Sequence, residues 1–230
     1  MAASITGSRP WSWTLEFPDE FTKRTGVIQL LERGFHHAHI EVGNSFGSPK
    51  AIEALDAFYQ LLVHKGGLNR KVALVGLSRG GLYAYRFAAR FPERVAAIYA
   101  DAPVCDFKSW PGGRGKGRGS PRDWKQLKDH YGFANDEAAL AFKGNPIDQL
   151  IPIAKAKIPI LHVVGDNDDV VPVVENSAIV ESRLKDLGLS IQVIHKPGAG
   201  HHPHGLEDPT PVIKFITDSY TSISIKNEGK

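Results

Sequence analysis

The sequence predicts an α/β fold, a doubly wound, mostly parallel sheet of about six strands with helices on both faces. Three observations carry that expectation. Short apolar runs alternate with stretches of helical spacing from residue 11 to residue 222, as parallel strands joined by right-handed crossovers require. The central runs, such as Val72-Ala73-Leu74-Val75 and Val95-Ala96-Ala97-Ile98, are apolar without alternation, the pattern of strands covered on both sides. Residues with chemistry then cluster just after such runs: Thr14, Ser78, Asp101 and the acidic loop after Val164. In open α/β sheets that is where ligands bind.

Taken in order, residues 1–10 are small and polar and read as a flexible lead-in. Trp11-Ser12-Trp13-Thr14-Leu15 is an aromatic strand. Residues 17–33 carry Phe21, Val27, Ile28, Leu30 and Leu31; Pro18 and Gly26 break the helix or delay its start, and Gly34 stops it. Residues 35–41 form the next strand. Residues 49–64 place Ile52, Leu55, Phe58, Leu61 and Leu62 on one helical face, ended by Gly66-Gly67. A strand over 71–76 leads into a helix from Arg79 to about Phe91, and 95–101 is a buried strand. The rhythm then breaks. Residues 104–146 are too long for a simple crossover and hold two short helices, 121–131 and 135–142, so they read as a lid-like insertion over the strand ends within a single domain, 1–230. A short helix over 146–156, a strand over 158–164, a helix over 172–187, a strand over 190–195 and a helix over 208–222 complete the pattern, with a polar tail from 223.

Composition narrows the function classes. A net charge of +3 and a pI near 8.9 are too mild to indicate nucleic acid. No apolar run approaches the length that spans a bilayer, so no membrane partner is expected, and residues 1–10 show no hydrophobic signal region. Cys105 is the single cysteine, so the fold needs no internal disulfide; a cytoplasmic location is compatible and the localisation stays open.

The chemistry centres on Gly76-Leu77-Ser78-Arg79-Gly80. A serine is a weak nucleophile unless a base takes its proton and donors hold the oxyanion. On a tight strand-to-helix turn, glycines keep side chains out of the crowded approach, and the helix N-terminus faces the reacting oxygen. A base is available after the last strand, in Gly198-Ala199-Gly200-His201-His202-Pro203-His204. His201 is the first choice, His202 the second, and His204 reads as structural. An acid that fixes the tautomer is available in Gly165-Asp166-Asn167-Asp168-Asp169-Val170-Val171-Pro172, where Asp168 sits mid-loop and Asp166 and Asp169 suit turns or solvent. Asp101 is a reserve acid or a structural hydrogen-bond acceptor.

The order Ser, Asp, His, each after a buried strand, resembles the α/β-hydrolase superfamily. The resemblance covers about residues 11–222 and is most like compact dienelactone-hydrolase or prolyl-oligopeptidase-type esterases. It implies an acid in a Gly-x-x-Asp-x-x-Val-Pro pattern, which selects Asp168, and a histidine after glycine, which selects His201. It also implies a serine esterase acting on small-molecule esters without a cofactor; a lactonase or peptidase, or a non-catalytic ligand-binding member, is the alternative. Two departures stand out. Only ten residues precede Trp11, where the superfamily usually has two strands; either those strands are absent or the chain is a truncated version, and the sheet edge would then be exposed or available for a homo-oligomer. The oxyanion loop lacks the common His-Gly, so one donor is expected at the N–H of Arg79 and the other at Trp13 or Thr14.

His36, His37 and His39, together with the histidines of the 198–204 loop, match no closed tetrahedral spacing, so no metal is expected. Trp110, Phe107 and Trp13 line an apolar substrate site or belong to the core. The run Gly112-Gly113-Arg114-Gly115-Lys116-Gly117-Arg118-Gly119 reads as a mobile solvated loop with a gating role toward anionic substrates.

Overall fold

The computed structural model describes residues 9–228, so most of the expected lead-in, and the last two residues of the expected tail, lie outside the described residues. Six strands, β1 (Trp11–Thr14), β2 (His36–Ala38), β3 (Val72–Leu77), β4 (Val95–Asp101), β5 (Ile160–Gly165) and β6 (Gln192–Lys196), form one sheet in the order β2-β1-β3-β4-β5-β6. Every neighbouring pair is parallel.

Strand pleating sends alternate residues to opposite faces, and each face has its own core. Val72, Leu74, Ile98 and Ile160 point to a large core with Trp11 and Trp13. That face is covered by α2 (Pro49–His64), α3 (Gly80–Arg90), α6 (Ile151–Lys155) and α7 (Ser177–Asp186). Ala73, Val75, Leu77, Tyr99 and Leu161 point the other way, against Leu30 of α1 (Val27–Glu32) and Ile213, Ile216 and Tyr220 of α8 (Thr210–Glu228). The Tyr220 hydroxyl lies 2.7 Å from both Trp11 O and Lys71 O, within reach to donate to either, and ties α8 across the start of the sheet.

The departures from the sequence reading have local causes. The helix expected over 17–33 is only the six residues of α1; Phe17 and Phe21 have positive φ, and Gly26 at φ 77 starts the helix late. The expected helix over 172–187 is a 3₁₀ turn, Val173–Glu175, followed by α7, because Asn176 is drawn out of the helix. Its side-chain oxygen accepts from Cys105 N and Asp106 N, and its amide donates to Ser109 Oγ and Pro172 O. The tail begins later than expected: α8 continues to Glu228, since no glycine or proline interrupts 212–228. The outer edge on the β1 side is the three-residue β2, which shields β1.

Residues 104–146 contain α4 (Pro121–Tyr131) and α5 (Asp136–Ala141), close to the expected bounds. Ser120 and Asn135 cap them, each accepting from the backbone N–H three residues on. The helices close around stacked and edge-on rings: Phe107 meets Trp124, Tyr131, Phe133 and Phe142 with centroids 5.4–6.1 Å apart.

Candidate active site

Ser78 sits between β3 and α3 with φ 49, a left-handed conformation that a serine adopts only when its surroundings impose it. Ser78 N donates to Asp101 O at 2.9 Å, and Ser78 O accepts from Val104 N at 2.8 Å and Gly81 N at 3.0 Å. Close approach explains the glycines. A Cβ on Gly76 would lie 2.9 Å from Gly80 O, and one on Gly81 would lie 2.6 Å from Pro103 Cβ. Gly80 is the more tolerant position, since a Cβ there would make ordinary contacts with Glu16, to Cβ at 3.4 Å and to N at 3.7 Å. The crowded pair is therefore Gly76 and Gly81, not Gly76 and Gly80.

The expected base and acid converge on this turn. Ser78 Oγ lies 2.9 Å from His201 Nε2, and His201 Nδ1 lies 2.7 Å from Asp168 Oδ2. A carboxylate only accepts, so His201 carries its proton on Nδ1 and offers the Nε2 lone pair to the serine. The Asp168 side chain is 1 % exposed, and its Oδ1 accepts from Val170 N at 2.9 Å and Val171 N at 2.8 Å. Both of its oxygens are thus engaged, which holds a buried carboxylate in one orientation. The other two aspartates are spent elsewhere: Asp166 pairs with His195 at 2.6 Å, and Asp169 pairs with Arg118. Gly165 lets the acid loop lie against the base loop, where a Cβ would overlap Ala199 O and Gly200 O. Asn167 N donates to Ala199 O at 2.9 Å across the same seam.

The oxyanion assignment needs correction at one donor. Trp13 and Thr14 lie inside β1, buried and in register with β3 at Leu74 and Val75, and Leu15 N still donates to Val75 O. Donors held within the sheet cannot turn to a ligand. Chain free of the ladder begins at Glu16 and Phe17, and Phe17 has φ 56. The N–H groups of Glu16, Phe17 and Arg79 have no acceptor among the described residues.

Arg79 has a second part to play through its side chain. Nε donates to Glu16 Oε2 at 2.6 Å, Nη2 donates to Asn44 Oδ1 at 2.6 Å, and the guanidinium lies 4.9 Å from the Phe17 ring centroid. The nucleophile turn is thereby clamped to the chain leaving β1. Burial raises the Glu16 carboxyl above its ordinary value, and the Arg79 charge opposes that rise. With its fork occupied, Arg79 is a brace and not a pocket-rim contact for substrate. Sequence reasoning passed over Glu16 and Phe17; the signal was the pair of residues between the strand and Pro18.

The remaining candidates are placed as follows. Asp101 is fully buried, accepting from His204 Nδ1 at 2.7 Å, Gly205 N at 2.8 Å and Tyr99 Oη at 3.2 Å, so it is a structural acceptor and not the reserve acid. His202 is exposed, with its ring stacked 6.1 Å from Phe21. Burial and the neighbouring His204 and His201 hold its pKa below the ordinary value. Phe107 is 1 % exposed at the centre of the aromatic cluster and belongs to the core, not to a substrate site. Trp110 is half-buried, 6.2 Å from Phe46. His36, His37 and His39 are separately engaged by Arg9, Ser12 and Thr14 O. The glycine run is docked: Arg114 pairs with Asp136, Lys116 N donates to Glu175, and Cβ atoms on Gly115 and Gly117 would overlap Glu175 and Pro172. A groove of about 510 Å³ lined by Pro49, Ile52, Arg86, Arg90 and Gln149 includes none of Ser78, Asp168 and His201.

With this geometry in place, comparison with known proteins is informative. Residues 55–223, well over half of the chain, match the family described as BAAT / acyl-CoA thioester hydrolase C terminal. The chain belongs to that family. An esterase of Pyrococcus furiosus superposes with a TM-score of 0.59 at 18% identity, covering 94% of this chain and 84% of the esterase. A monoacylglycerol lipase of Paleococcus ferrophilus superposes with a TM-score of 0.55 at 16% identity, covering 92% and 96%. The fold is that of the α/β-hydrolases. A Bacillus subtilis (strain 168) protein with the provisional name 2-succinyl-6-hydroxy-2,4-cyclohexadiene-1-carboxylate synthase is 33% identical over 108 residues. That match spans 46% of this chain and 36% of the relative's length.

Proposed function

We propose that the protein hydrolyses carboxylic esters through an acyl-enzyme on Ser78. The observation that carries this is the continuous relay from Ser78 Oγ through His201 to the doubly anchored Asp168. As Ser78 Oγ attacks the carbonyl carbon, His201 Nε2 takes its proton, and Asp168 stabilises the imidazolium. The developing oxyanion is held by the N–H of Arg79 and the N–H of Phe17, two donors without acceptors of their own. His201 returns the proton to the leaving alcohol. Water, deprotonated by the same nitrogen, then attacks the acyl carbon and releases the acid.

The test is a fluorophosphonate probe read by peptide mapping, beside turnover of p-nitrophenyl esters of increasing chain length. Label on Ser78 is expected, and Ser78→Ala should lower turnover by on the order of a million-fold. A folded protein that takes no label and turns over no ester would instead be a ligand-binding member. A second reading is favoured by the family match: the acyl donor is a thioester. The same steps apply with a thiolate leaving group, and matched oxygen and thioester substrates of one acyl chain distinguish the two by kcat/KM.

A further inference from the structure

The loop after β6 brings three imidazoles together in a way that ester hydrolysis does not require. The rings of His201, His202 and His204 lie pairwise 4.8–4.9 Å apart between centroids and nearly perpendicular, at 77–81°. Each offers one ring nitrogen to a set lying within 4.8 Å. Two of the three are prepared in the same manner. His201 Nδ1 donates to buried Asp168 and His204 Nδ1 donates to buried Asp101, both at 2.7 Å. That leaves Nε2 as the free lone pair on each. A histidine whose far nitrogen is held by a carboxylate is the usual arrangement around zinc, since it fixes the tautomer and raises ligand basicity. Here it occurs twice around one point, and His204 Nε2 has no hydrogen-bond partner among the described residues.

We propose that His201, His202 and His204 form a transition-metal site, selective for zinc-like ions, that switches the hydrolase off. Three imidazoles and one exchangeable position make a familiar zinc donor set. Nitrogens around a tetrahedral zinc ion lie roughly 3.3 Å apart, given Zn–N distances of about 2.0–2.1 Å. The set must therefore close slightly. His202 is the member able to move, being exposed, in a loop where Gly200 has only Asn167 O, at 3.9 Å, near its Cβ position. The switch follows from atom use. His201 Nε2 either accepts from Ser78 or binds the ion, so metal binding removes the general base without unfolding the loop. No bond to Ser78 forms or breaks, and removal of the ion restores the relay. The metal site stands independently of the reaction; the inhibition rests on the hydrolase reading above.

The experiment uses the full chain after chelator treatment and exchange into metal-free buffer. Zn²⁺ binding is measured by calorimetry, and Co²⁺ is added as a spectroscopic probe of coordination geometry. Expected are one equivalent of Zn²⁺, intense visible Co²⁺ bands of a four-coordinate site, and loss of esterase turnover in proportion to occupancy. His202→Ala should keep its basal turnover and bind Zn²⁺ more weakly by on the order of a hundred-fold, since even loss of a ligand's supporting partner costs 10–100-fold. Ser78→Ala, which frees His201 Nε2, should bind at least as tightly as the wild type. The proposal is overturned if Zn²⁺ inhibits His202→Ala and wild type equally, or if Co²⁺ shows only the weak bands of an octahedral ion. Should no ester be turned over, the calorimetry and Co²⁺ spectra still decide the site, so failure of the hydrolase reading remains separate.

Discussion

Two histidine–aspartate pairs occupy one loop, and they differ in a single respect. His201–Asp168 and His204–Asp101 are both buried, both join Nδ1 to a carboxylate, and both do so at 2.7 Å. Each carboxylate accepts three hydrogen bonds, Asp168 from His201, Val170 and Val171 and Asp101 from His204, Gly205 and Tyr99. Yet only His201 has a serine on its other nitrogen. A well-made pair is therefore not enough for a general base; what Nε2 faces decides. The first pair spans two loops that touch along Gly165 and Gly200, whereas the second fastens the loop to the end of β4. In the function proposed above, the first pair would move protons and the second would hold it in position.

The largest predicted effects test that division. His201→Ala should abolish ester turnover to nearly the same degree as Ser78→Ala, since members of a triad act as a unit. His204→Ala should keep kcat within about ten-fold but destabilise the fold by roughly 1.5–3 kcal/mol, because buried Asp101 loses one of its three donors. Kinetics alongside urea denaturation check both, and a catalytic collapse in folded His204→Ala would break the comparison. The acids should divide likewise. Asp168→Asn should lower kcat by on the order of ten-thousand-fold by favouring the wrong tautomer of His201. Asp101→Asn should act mainly on the denaturation midpoint.

A smaller effect concerns the brace between Ser78 and the oxyanion donors. Arg79→Ala leaves Glu16 buried without its cation and frees the Phe17 turn. Removing one oxyanion donor costs on the order of a hundred- to a thousand-fold in kcat, so misplacing one should cost about ten- to a hundred-fold. KM should change little, since the Arg79 guanidinium is taken up by Glu16 and Asn44. Arg79→Lys should recover part of the loss through the Glu16 contact, an outcome that a merely destabilised fold would not show.

Acid stability depends on a histidine beside the structural pair. Burial depresses His162 to about 3, and its Nε2 meets Tyr85 Oη at 2.7 Å on the strand next to Asp101. The unfolded chain takes up this proton near pH 6.5, so the contribution is full above that value and is lost as pH falls toward about 3. Each such group gives a slope of about 1.4 kcal/mol per pH unit. His37, depressed to about 4, adds to it over the upper part of the window. His162→Gln should flatten the acid limb by about one group's slope in denaturation series between roughly pH 7 and 4.5.

How much of this was legible in the chain follows a physical divide. Features fixed by local pattern could be read directly: the extent of α2 from its apolar spacing and the glycines that end it, the apolar run of β4, and the glycine-flanked Ser78. Asp168 and His201 emerged because each follows a strand in a loop with glycine. Features that depend on long-range contacts stayed hidden. Nothing near Asn176 shows that its side chain leaves the helix to hold Cys105 and Asp106, 70 residues or more away. The sequence pattern puts the second oxyanion donor at Trp13 or Thr14, three or four residues before the Phe17 proposed above, because ladder pairing runs on through Leu15, which depends on where β3 lies. The sequence leaves Asp101 as a reserve acid or a structural acceptor and marks His204 as structural, but their pairing across 103 residues cannot be read from it.

The smallest predicted effect concerns the cationic glycine run, and it sharpens the contrast between the two pairs. The loop that carries Asp168 is propped from outside: Arg118 N donates to Asp169 O at 3.0 Å, its guanidinium pairs with the Asp169 carboxylate, and Gly117 packs on Pro172. Asp101 needs no such prop, being the last residue of β4. A gating role toward anionic substrates would require free cations, but Arg114 and Arg118 are paired, which leaves only the Lys116 side chain of the run without an ion-pair partner among the described residues. These pairs are well exposed, and exposed pairs contribute only about 0.2–1 kcal/mol each. Replacing Arg114, Lys116 and Arg118 together by Gln should therefore leave KM for acidic and neutral esters within about two-fold of each other's change, since the backbone packing persists. Gly117→Val is the contrasting variant. A side chain there must displace Val170 and Pro172, whose segment supplies the N–H donors to Asp168, so kcat should fall while the charge is untouched. If instead the charge variant alone raised KM for acidic esters, the run would be a substrate-binding element and not a support for the acid loop.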